Sequence, residues 1–385
     1  MIFAWLNKRD WKRPGPIVTM AVQNAHSLAN LGHETHLFVG AGEVASNIES
    51  DLREFYGLEP VETLQVHRFE RWRIGHSRLA LPIYLRTSRA IRQLAQRGPI
   101  AVITRDATFL PLLARLRRRF KVRAFYEAHD LYADLSWRTD RVKLGDRRQG
   151  WLERTFLPKL DGLICLTSAQ QGLYAKVLPQ VRSCAIPLGT NDFFAADVEL
   201  RRGRRTLAYV GRLSSDKGLK VMLKALPQFA ANNIRLACFG GWEPHIAQLQ
   251  ERLKARGLEQ WVEFAPFRAP VEFQRRLGET SSIGLALLQD GFYNRYLTCP
   301  VKVLDYLSHA LPIIGSDLPS VHETAGNAAA YIKPDDSAEL VRLVTKLLDD
   351  ANAYQRATSL SRARARELSW PNRAAAIVRF VEESG

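Results

Sequence analysis

The stretch FYNRYLTCPVKVLDYLSHALPIIGSDLPSVHE, Phe292–Glu323, decides the fold. It reads as a loop, a short amphipathic helix, a buried strand and a turn that ends on a carboxylate. Pro300 suits the first turn of a helix, where a missing N–H costs nothing. Val301, Leu304, Tyr306, Leu307 and Ala310 supply the apolar contacts. Pro312 stops the helix, and LPIIGS fits a strand buried on both faces. A helix start behind a loop gathers free N–H groups and positive dipole, which suits a phosphate. Lys302 and Asp305 lie three apart, so both sit near one face of the first turns. The pair suggests a nucleotide, with Lys302 for a phosphate and Asp305 for a sugar diol.

Outward from this segment, strands and helices alternate along the chain. IFAWLN, ETHLFVG, ETLQVHRF, IAVITRD, VRAFYEAHD and GLICLTS read as strands with helices between them. Such alternation predicts a parallel, doubly wound α/β sheet, with the site in loops after the carboxyl ends of its strands. IPLGTNDFFAADVELRRGRR, Ile186–Arg205, breaks the pattern with turn formers and a charge run, and reads as an interdomain connection. Alternation then restarts with TLAYVG, IRLACFGG, VEFAPF, IGLALLQ, PIIGS and AAYIK. The last stretch, SWPNRAAAIVRFVEESG, reads as an amphipathic helix.

VGRLSSDKG, Val210–Gly218, is the second strong signal. A strand ends at Gly211, Arg212 follows, and a turn delivers Lys217 and Gly218 to a helix start. Together the two segments resemble glycosyltransferase family 4, retaining enzymes of GT-B fold. The family's nucleotide-sugar signature often reads SPxKxxEYxAxGxPVVxS and stands here as CPVKVLDYLSHALPIIGS. Its VGRLxxxKG is matched closely. Cys299 replaces Ser and Asp305 replaces Glu. Leu297 stands where many members carry a second Glu, so the paired-glutamate form is absent.

The resemblance implies two Rossmann-like domains facing across a cleft: residues 1–189 on the acceptor side, 190–369 binding the nucleotide sugar, and 370–385 a helix packing back on the first domain. It implies transfer of a sugar, with retention, from a nucleotide-diphosphate sugar to an acceptor hydroxyl, and no cofactor besides that co-substrate. Arg212 and Lys217 would grip the pyrophosphate and stabilise the charge that grows on it. Gly15, Gly211, Thr298, Cys299, Lys302, Asp305 and Glu323 would complete the donor site, Glu323 through the family's P-x-x-x-E turn in PSVHE. EAHDLYAD resembles the family's E-x-HDL stretch, which makes His129 a catalytic candidate facing donor sugar and acceptor. Asp130 next to it, and Arg105 and Asp106 in ITRD, are acceptor-side candidates; an internal salt bridge and a cap are the competing roles. Thr167 and Ser168 fit a helix cap.

Composition bounds the rest. The 385 residues allow two domains, and 46% hydrophobic content suits a globular core. The N-terminal apolar run is too short for a signal peptide and reads as a first strand. No stretch approaches the ~18 apolar residues of a membrane span. Cys165, Cys184, Cys238 and Cys299 have neither CxxC nor zinc spacing, which predicts reduced thiols in a cytoplasmic protein. No Asp-x-Asp, HxH or HExxH occurs, so no bound metal is indicated.

The net charge of +16 is uneven: residues 1–190 hold 29 Lys/Arg against 17 Asp/Glu, residues 191–385 hold 26 against 22. RLRRRFKVR, Arg115–Arg123, is the sharpest cluster. It reads as a solvated helix end or as a site for an anionic membrane surface or acceptor. It lacks the interleaved aromatics of a nucleic-acid groove, and nucleic acid is not expected as a partner. The acceptor classes left open are lipid, saccharide and small polar molecule. Two alternatives use the same donor site: a binding or regulatory protein with a degenerate site, motivated by Leu297 and Asp305, and a sugar-nucleotide epimerase. GAGEVA, Gly40–Ala45, fits a dinucleotide fingerprint. It follows the second strand instead of the first, which makes an NAD-dependent oxidoreductase a poor fit.

Overall fold

The computed structural model describes residues 1–384 apart from 43–45, 75–76, 140, 195–196 and 267, and leaves out the side chains of 73–74, 77–78 and 215. The last three residues of GAGEVA therefore lie outside the described residues. The chain forms two compact units. The first comprises Met1–Leu188, Tyr296–Thr298 and Trp370–Gly385; the second comprises Gly189–Arg295 and Cys299–Ser369.

The first unit contains β1 (Ile2–Asp10), β2 (Thr35–Gly40), β3 (Leu64–Phe69), a hairpin of β4 (Trp72–Ile74) and β5 (Ser77–Leu79), then β6 (Ile100–Thr104), β7 (Val122–Glu127), β8 (Gly162–Cys165) and β9 (Ser183–Ala185). Seven of these pair in the order β3-β2-β1-β6-β7-β8-β9. Every ladder in that sheet is parallel, with Trp5 opposite Leu37 on one side and Ile103 on the other. Parallel sheets covered on both faces read as continuous apolar runs, which explains IFAWL and IAVI. Side chains of β1 alternate between two cores. Phe3 and Trp5 pack with Val22, Ile377 and Phe380 on one face. Ile2, Ala4 and Leu6 pack with Ile83, Ile91 and Leu113 on the other. The helices Pro16–Asn30 and Trp370–Glu382 thus cover the first face, and Leu81–Arg97 and Leu110–Arg119 the second.

The second unit contains β10 (Thr206–Val210), β11 (Arg235–Phe239), β12 (Val262–Ala265), β13 (Ile283–Ala286), β14 (Ile313–Ser316) and β15 (Ala329–Ile332). They form one sheet in the order β12-β11-β10-β13-β14-β15, with parallel ladders throughout. In each unit the strand order reverses beside the first strand, at β1/β6 and at β10/β13. Open α/β sheets bind ligands outside the carboxyl ends of their strands at that reversal.

One local reading of the sequence needs correction, and two details of burial add to it. Pro300 caps the helix Val301–Ser308 from outside its first turn. Ile17 faces outward, and the buried stripe of its helix runs through Val18, Ala21, Val22, Ala25 and Leu28. The charge run near Arg201 is partly buried. It folds into a short helix, Val198–Gly203, and Arg201 is buried. Among the described residues no helix is long and apolar enough to cross a membrane. Among the described residues no disulfide joins the four cysteines.

Candidate active site

In the second unit the loop after β10 is built from glycines. Gly211 has φ +118° and Gly218 φ +87°, conformations that a side chain strains. A Cβ on Gly218 would lie 2.4 Å from the Leu287 carbonyl oxygen, so the loops after β10 and β13 touch there. Between the glycines a tight turn, Ser215–Lys217, returns the chain. It brings Lys217 Nζ to 3.0 Å from Asn294 Oδ1 and 5.6 Å from the centre of the Tyr293 ring. Asn294 is itself held, donating to the Gln289 carbonyl at 2.9 Å. Arg212 is free to swing: its side chain is 68% exposed, and Asp216 lies 3.8 Å away.

The helix Val301–Ser308 meets this loop at its start. A Cβ on Gly211 would stand 4.0 Å from Lys302 Cε. Lys302 is 8% exposed, and its ammonium has no hydrogen-bond partner. The nitrogen lies 4.2 Å from the centre of the Tyr209 ring. Burial, then the nearby Lys217 charge, pushes its pKa down to about 7. One turn on, Asp305 accepts a hydrogen bond from Gln274 Nε2 at 2.8 Å. Gln274 is in turn held through its carbonyl by His309, at 2.9 Å. Burial pushes the Asp305 carboxyl up to about 7. Lys302 and Asp305 share a helix face without forming an ion pair, so each keeps bonding capacity for a ligand.

Two residues hold this helix in place. The Tyr306 hydroxyl donates to the Ala208 and Leu285 carbonyls, at 3.1 and 3.0 Å, and accepts from Val210 N at 3.0 Å. It bolts the helix across the β10/β13 reversal. Gly284 makes room for that ring, since a Cβ there would come within 2.3 Å of it. At the other end Arg201 donates to the His309 and Ala310 carbonyls at 2.6 and 3.0 Å, capping the helix C-terminus. A helix fixed at both ends presents Lys302 and Asp305 at defined positions.

The remaining donor candidates lie less centrally. Cys299 is buried, its sulfur 4.0 Å from the Thr324 hydroxyl. The backbone carbonyl of Glu323 accepts from Arg364 Nη2 at 2.6 Å. Thr298, like Gly15, belongs to the first unit.

In the first unit Gly15 caps the helix Pro16–Asn30 with φ +109°, and nothing lies within 4 Å of where a Cβ would be. A ligand could therefore reach that backbone closely. Across the reversal, after β6, Arg105 has no hydrogen bond or ion pair among the described residues. Asp106 is engaged internally, accepting from Lys8 N at 2.7 Å and lying 3.3 Å from Lys8 Nζ. His129, just past β7, places Nε2 at 2.6 Å from Glu127 Oε1. The other Glu127 oxygen pairs with Arg373 of the helix Trp370–Glu382. Arg373 also donates to Asn24 Oδ1 at 2.8 Å and to the Ile186 carbonyl at 2.6 Å. Burial raises the Glu127 pKa, but Arg373 and His129 outweigh it and hold the carboxyl at about 2. Burial and then Arg105 press His129 down to about 4. With Glu127 ionised, neutral His129 donates from Nε2 and keeps Nδ1 as an acceptor.

Asp130 is used within its own loop, accepting from Leu131 N at 2.8 Å and from Arg138 at 2.9 Å. Thr167 caps the helix Ser168–Val177, accepting from Gln170 N at 3.1 Å. Glu153 is fully buried and accepts from Ala133 N at 2.7 Å and the Tyr174 hydroxyl at 2.9 Å, pinning the loop after His129. Among the described residues no group of three or more His, Cys, Asp or Glu is placed to hold a metal ion.

Two family models match in tandem: "Glycosyl transferase 4-like domain" over residues 15–189 and "Glycosyl transferases group 1" over residues 204–350. The chain belongs to glycosyltransferase family 4. A curated relative, O-antigen chain mannosyltransferase B of Escherichia coli, is 24% identical over 170 residues. That match spans 43% of this chain and 42% of the relative, less than half of either. Sucrose-phosphate synthase from Thermosynechococcus elongatus superposes with a TM-score of 0.73 at 17% identity, covering 99% of this chain and 98% of that one. Anabaena HepE in complex with UDP and glucose superposes with a TM-score of 0.70 at 15% identity, covering 99% of each chain. The fold is that of the GT-B glycosyltransferases.

Asp305 and Lys302 make the candidate site pH-sensitive in opposite senses. Below about pH 7 Asp305 takes a proton, and above it Lys302 loses one. Nucleoside diphosphate affinity is therefore expected to peak near neutrality. Asp305→Asn should flatten the acid limb and raise the donor Kd roughly ten- to a hundredfold, the worth of one charge-assisted hydrogen bond. Calorimetric titrations from pH 5.5 to 9 check this. An acid limb that survives unchanged in Asp305→Asn would refute the role.

Proposed function

We propose that this family 4 enzyme is a retaining hexosyltransferase that needs no protein-bound metal. It moves a sugar from a nucleotide-diphosphate sugar to an acceptor hydroxyl on a lipid or membrane-associated glycan. One observation carries the donor assignment: the buried Lys302 ammonium lacks any hydrogen-bond partner and stands beside Gly211 at the β10/β13 reversal. A buried cation left unpaired is costly unless an anion completes it. The pyrophosphate is that anion, with Lys302 on one phosphate and Arg212 and Lys217 on the leaving group. Asp305 takes the ribose diol once it exchanges Gln274 for it.

In this mechanism the acceptor hydroxyl attacks the face the leaving group departs from, and the departing phosphate takes its proton. The protein then needs no strong base. Its contribution is positioning and preorganised positive charge, usually the largest catalytic contribution. His129 serves the transferred sugar as a hydrogen-bonding group fixed by Glu127. The HepE structure with UDP and glucose and the mannosyltransferase relative support a hexose donor. The relative's name, O-antigen chain mannosyltransferase, supports a glycan acceptor. The basic excess of the first half supports reversible binding to an anionic membrane face.

The test begins with thermal stabilisation by a panel of nucleotide sugars. A true donor at 100 times its Kd should stabilise by ~2.7 kcal/mol. The anomeric configuration of the product, read by NMR, then decides the stereochemistry. A product of inverted configuration, or a panel in which nothing stabilises the protein, would end this reading.

A further inference from the structure

Residues 71–126 hold 14 Lys/Arg and a single acid, Asp106, which is buried and paired with Lys8. The structure redistributes the cluster singled out in the sequence. Arg117 pairs with Asp161 at 2.8 Å, and Arg123 donates to the Val381 carbonyl at 2.9 Å. Among the described residues Arg92, Arg115 and Arg119 have no hydrogen bond or ion pair, and Arg92 lies 5.9 Å from the centre of the Phe120 ring. These three rim a groove between the helices Leu81–Arg97 and Leu110–Arg119, with Ser88, Leu116 and Phe120 beneath them. The Ser88 hydroxyl is buried in that groove without a hydrogen-bond partner. An orphaned hydroxyl under three unpaired guanidiniums is a set of donors without an acceptor.

The groove continues an apolar strip. Leu81, Leu85, Ser88 and Arg92 are spaced four, three and four apart, so they run down one face of their helix. Leu81 is 46% exposed and Leu85 49%. Just before the helix, Trp72 and Leu79 oppose each other across the β4–β5 hairpin, 54% and 39% exposed. Exposed large apolar groups gathered beside unpaired arginines fit a boundary that is apolar within and anionic at its surface. Tryptophan favours such a boundary. A second copy of this chain would set like charge against like charge, which excludes a self-paired face.

We propose that this face of the first unit is a docking surface for an anionic phospholipid leaflet. Trp72, Leu79, Leu81 and Leu85 enter the interface, and a lipid phosphate occupies the groove over Ser88. The inference rests on the membrane reading above and adds insertion and a phosphate seat to charge attraction. It leaves the donor residues untouched.

The test is co-sedimentation of the full chain with phosphatidylcholine vesicles, with and without phosphatidylglycerol. Wild type is compared with Trp72→Ser/Leu81→Ser/Leu85→Ser and with Arg92→Gln/Arg115→Gln/Arg119→Gln. Melting temperature and nucleotide binding serve as controls for folding. Wild type should bind the anionic vesicles, and a fraction of that binding should persist at 0.5 M salt. The arginine variant should bind roughly 30- to 100-fold less. The apolar variant should lose the salt-resistant fraction. If wild type ignores anionic vesicles, the membrane reading falls with the inference. If the apolar variant binds as wild type does, insertion is overturned while charge attraction stands. Equal competition by free phosphate at lipid-matched concentration, or by a nucleic-acid homopolymer, would overturn the leaflet as the partner.

Discussion

Lys302→Met should raise the donor Kd on the order of 10²–10³-fold, since removing one partner of a buried charge pair costs about 2–5 kcal/mol. In the same variant the ligand-free protein should be more stable at pH 8, by ~2–3 kcal/mol. Both effects follow from one group. The Lys302 pKa is lowered from 10.5 to about 7 by burial. Between those values the unfolded chain binds more protons than the folded one, so stability rises with pH there. The penalty is complete below about pH 7 and fades as pH climbs toward the unfolded value. Met fills the same space without a charge. Urea unfolding at several pH values, with titration of nucleoside diphosphate, reads both quantities. The rise in wild-type stability between pH 7 and 10 should be reduced in the variant. A less stable Lys302→Met protein, or one that binds nucleotide normally, would remove Lys302 from the phosphate site.

Arg212→Ala should lower kcat on the order of 10²–10³-fold, the scale of losing one preorganised donor to developing charge. The same change should leave stability within about 0.5 kcal/mol, because the side chain is 68% exposed and its ion-pair partner Asp216 lies 3.8 Å away. That separation makes the experiment decisive, since lost turnover cannot then be blamed on a damaged fold. Lys217→Ala should cost turnover too, and also loosen Asn294, whose side chain it holds at 3.0 Å. Donor affinity should fall less than kcat in Arg212→Ala if the guanidinium engages mainly as the bond breaks. Unchanged turnover in a folded Arg212→Ala protein would sink the assignment.

The candidate donor side was readable in the sequence because its parts are local. VGRLSSDKG carries its strand end, cation and glycine turn within nine residues, and CPVKVLDY carries helix start, cation and acid within eight. Periodicity then located both sheets, since buried parallel strands are continuous apolar runs. What escaped depends on partners far apart along the chain. Gln274 meets Asp305 across 31 residues, and Asn294 meets Lys217 across 77. Arg373 meets Glu127 across 246, so nothing near EAHD announces it. The burial of Arg201 was not legible because burial of a charge depends on acceptors that only the fold assembles, here two helix-end carbonyls. Asp106 and Asp130 show the converse, carboxylates at strand ends whose bonding is used locally.

The helix Trp370–Glu382 gives the first unit an unusual history during synthesis. Residues 189–369 separate the bulk of that unit from its last piece, and at roughly 5–20 residues per second the ribosome needs about 10–35 s to make them. For that interval Gly162 lacks the Phe380 ring that rests on it, and Phe3 and Trp5 lack Ile377 and Val381. Glu127 waits without Arg373. The nascent chain therefore carries an open apolar strip and a buried-to-be carboxylate that only the final residues can close. The second unit, contiguous apart from three residues, can finish first. Of the two units the one begun first is completed last, and a stall within the helix Trp370–Glu382 would leave it unsealed to chaperones and proteases.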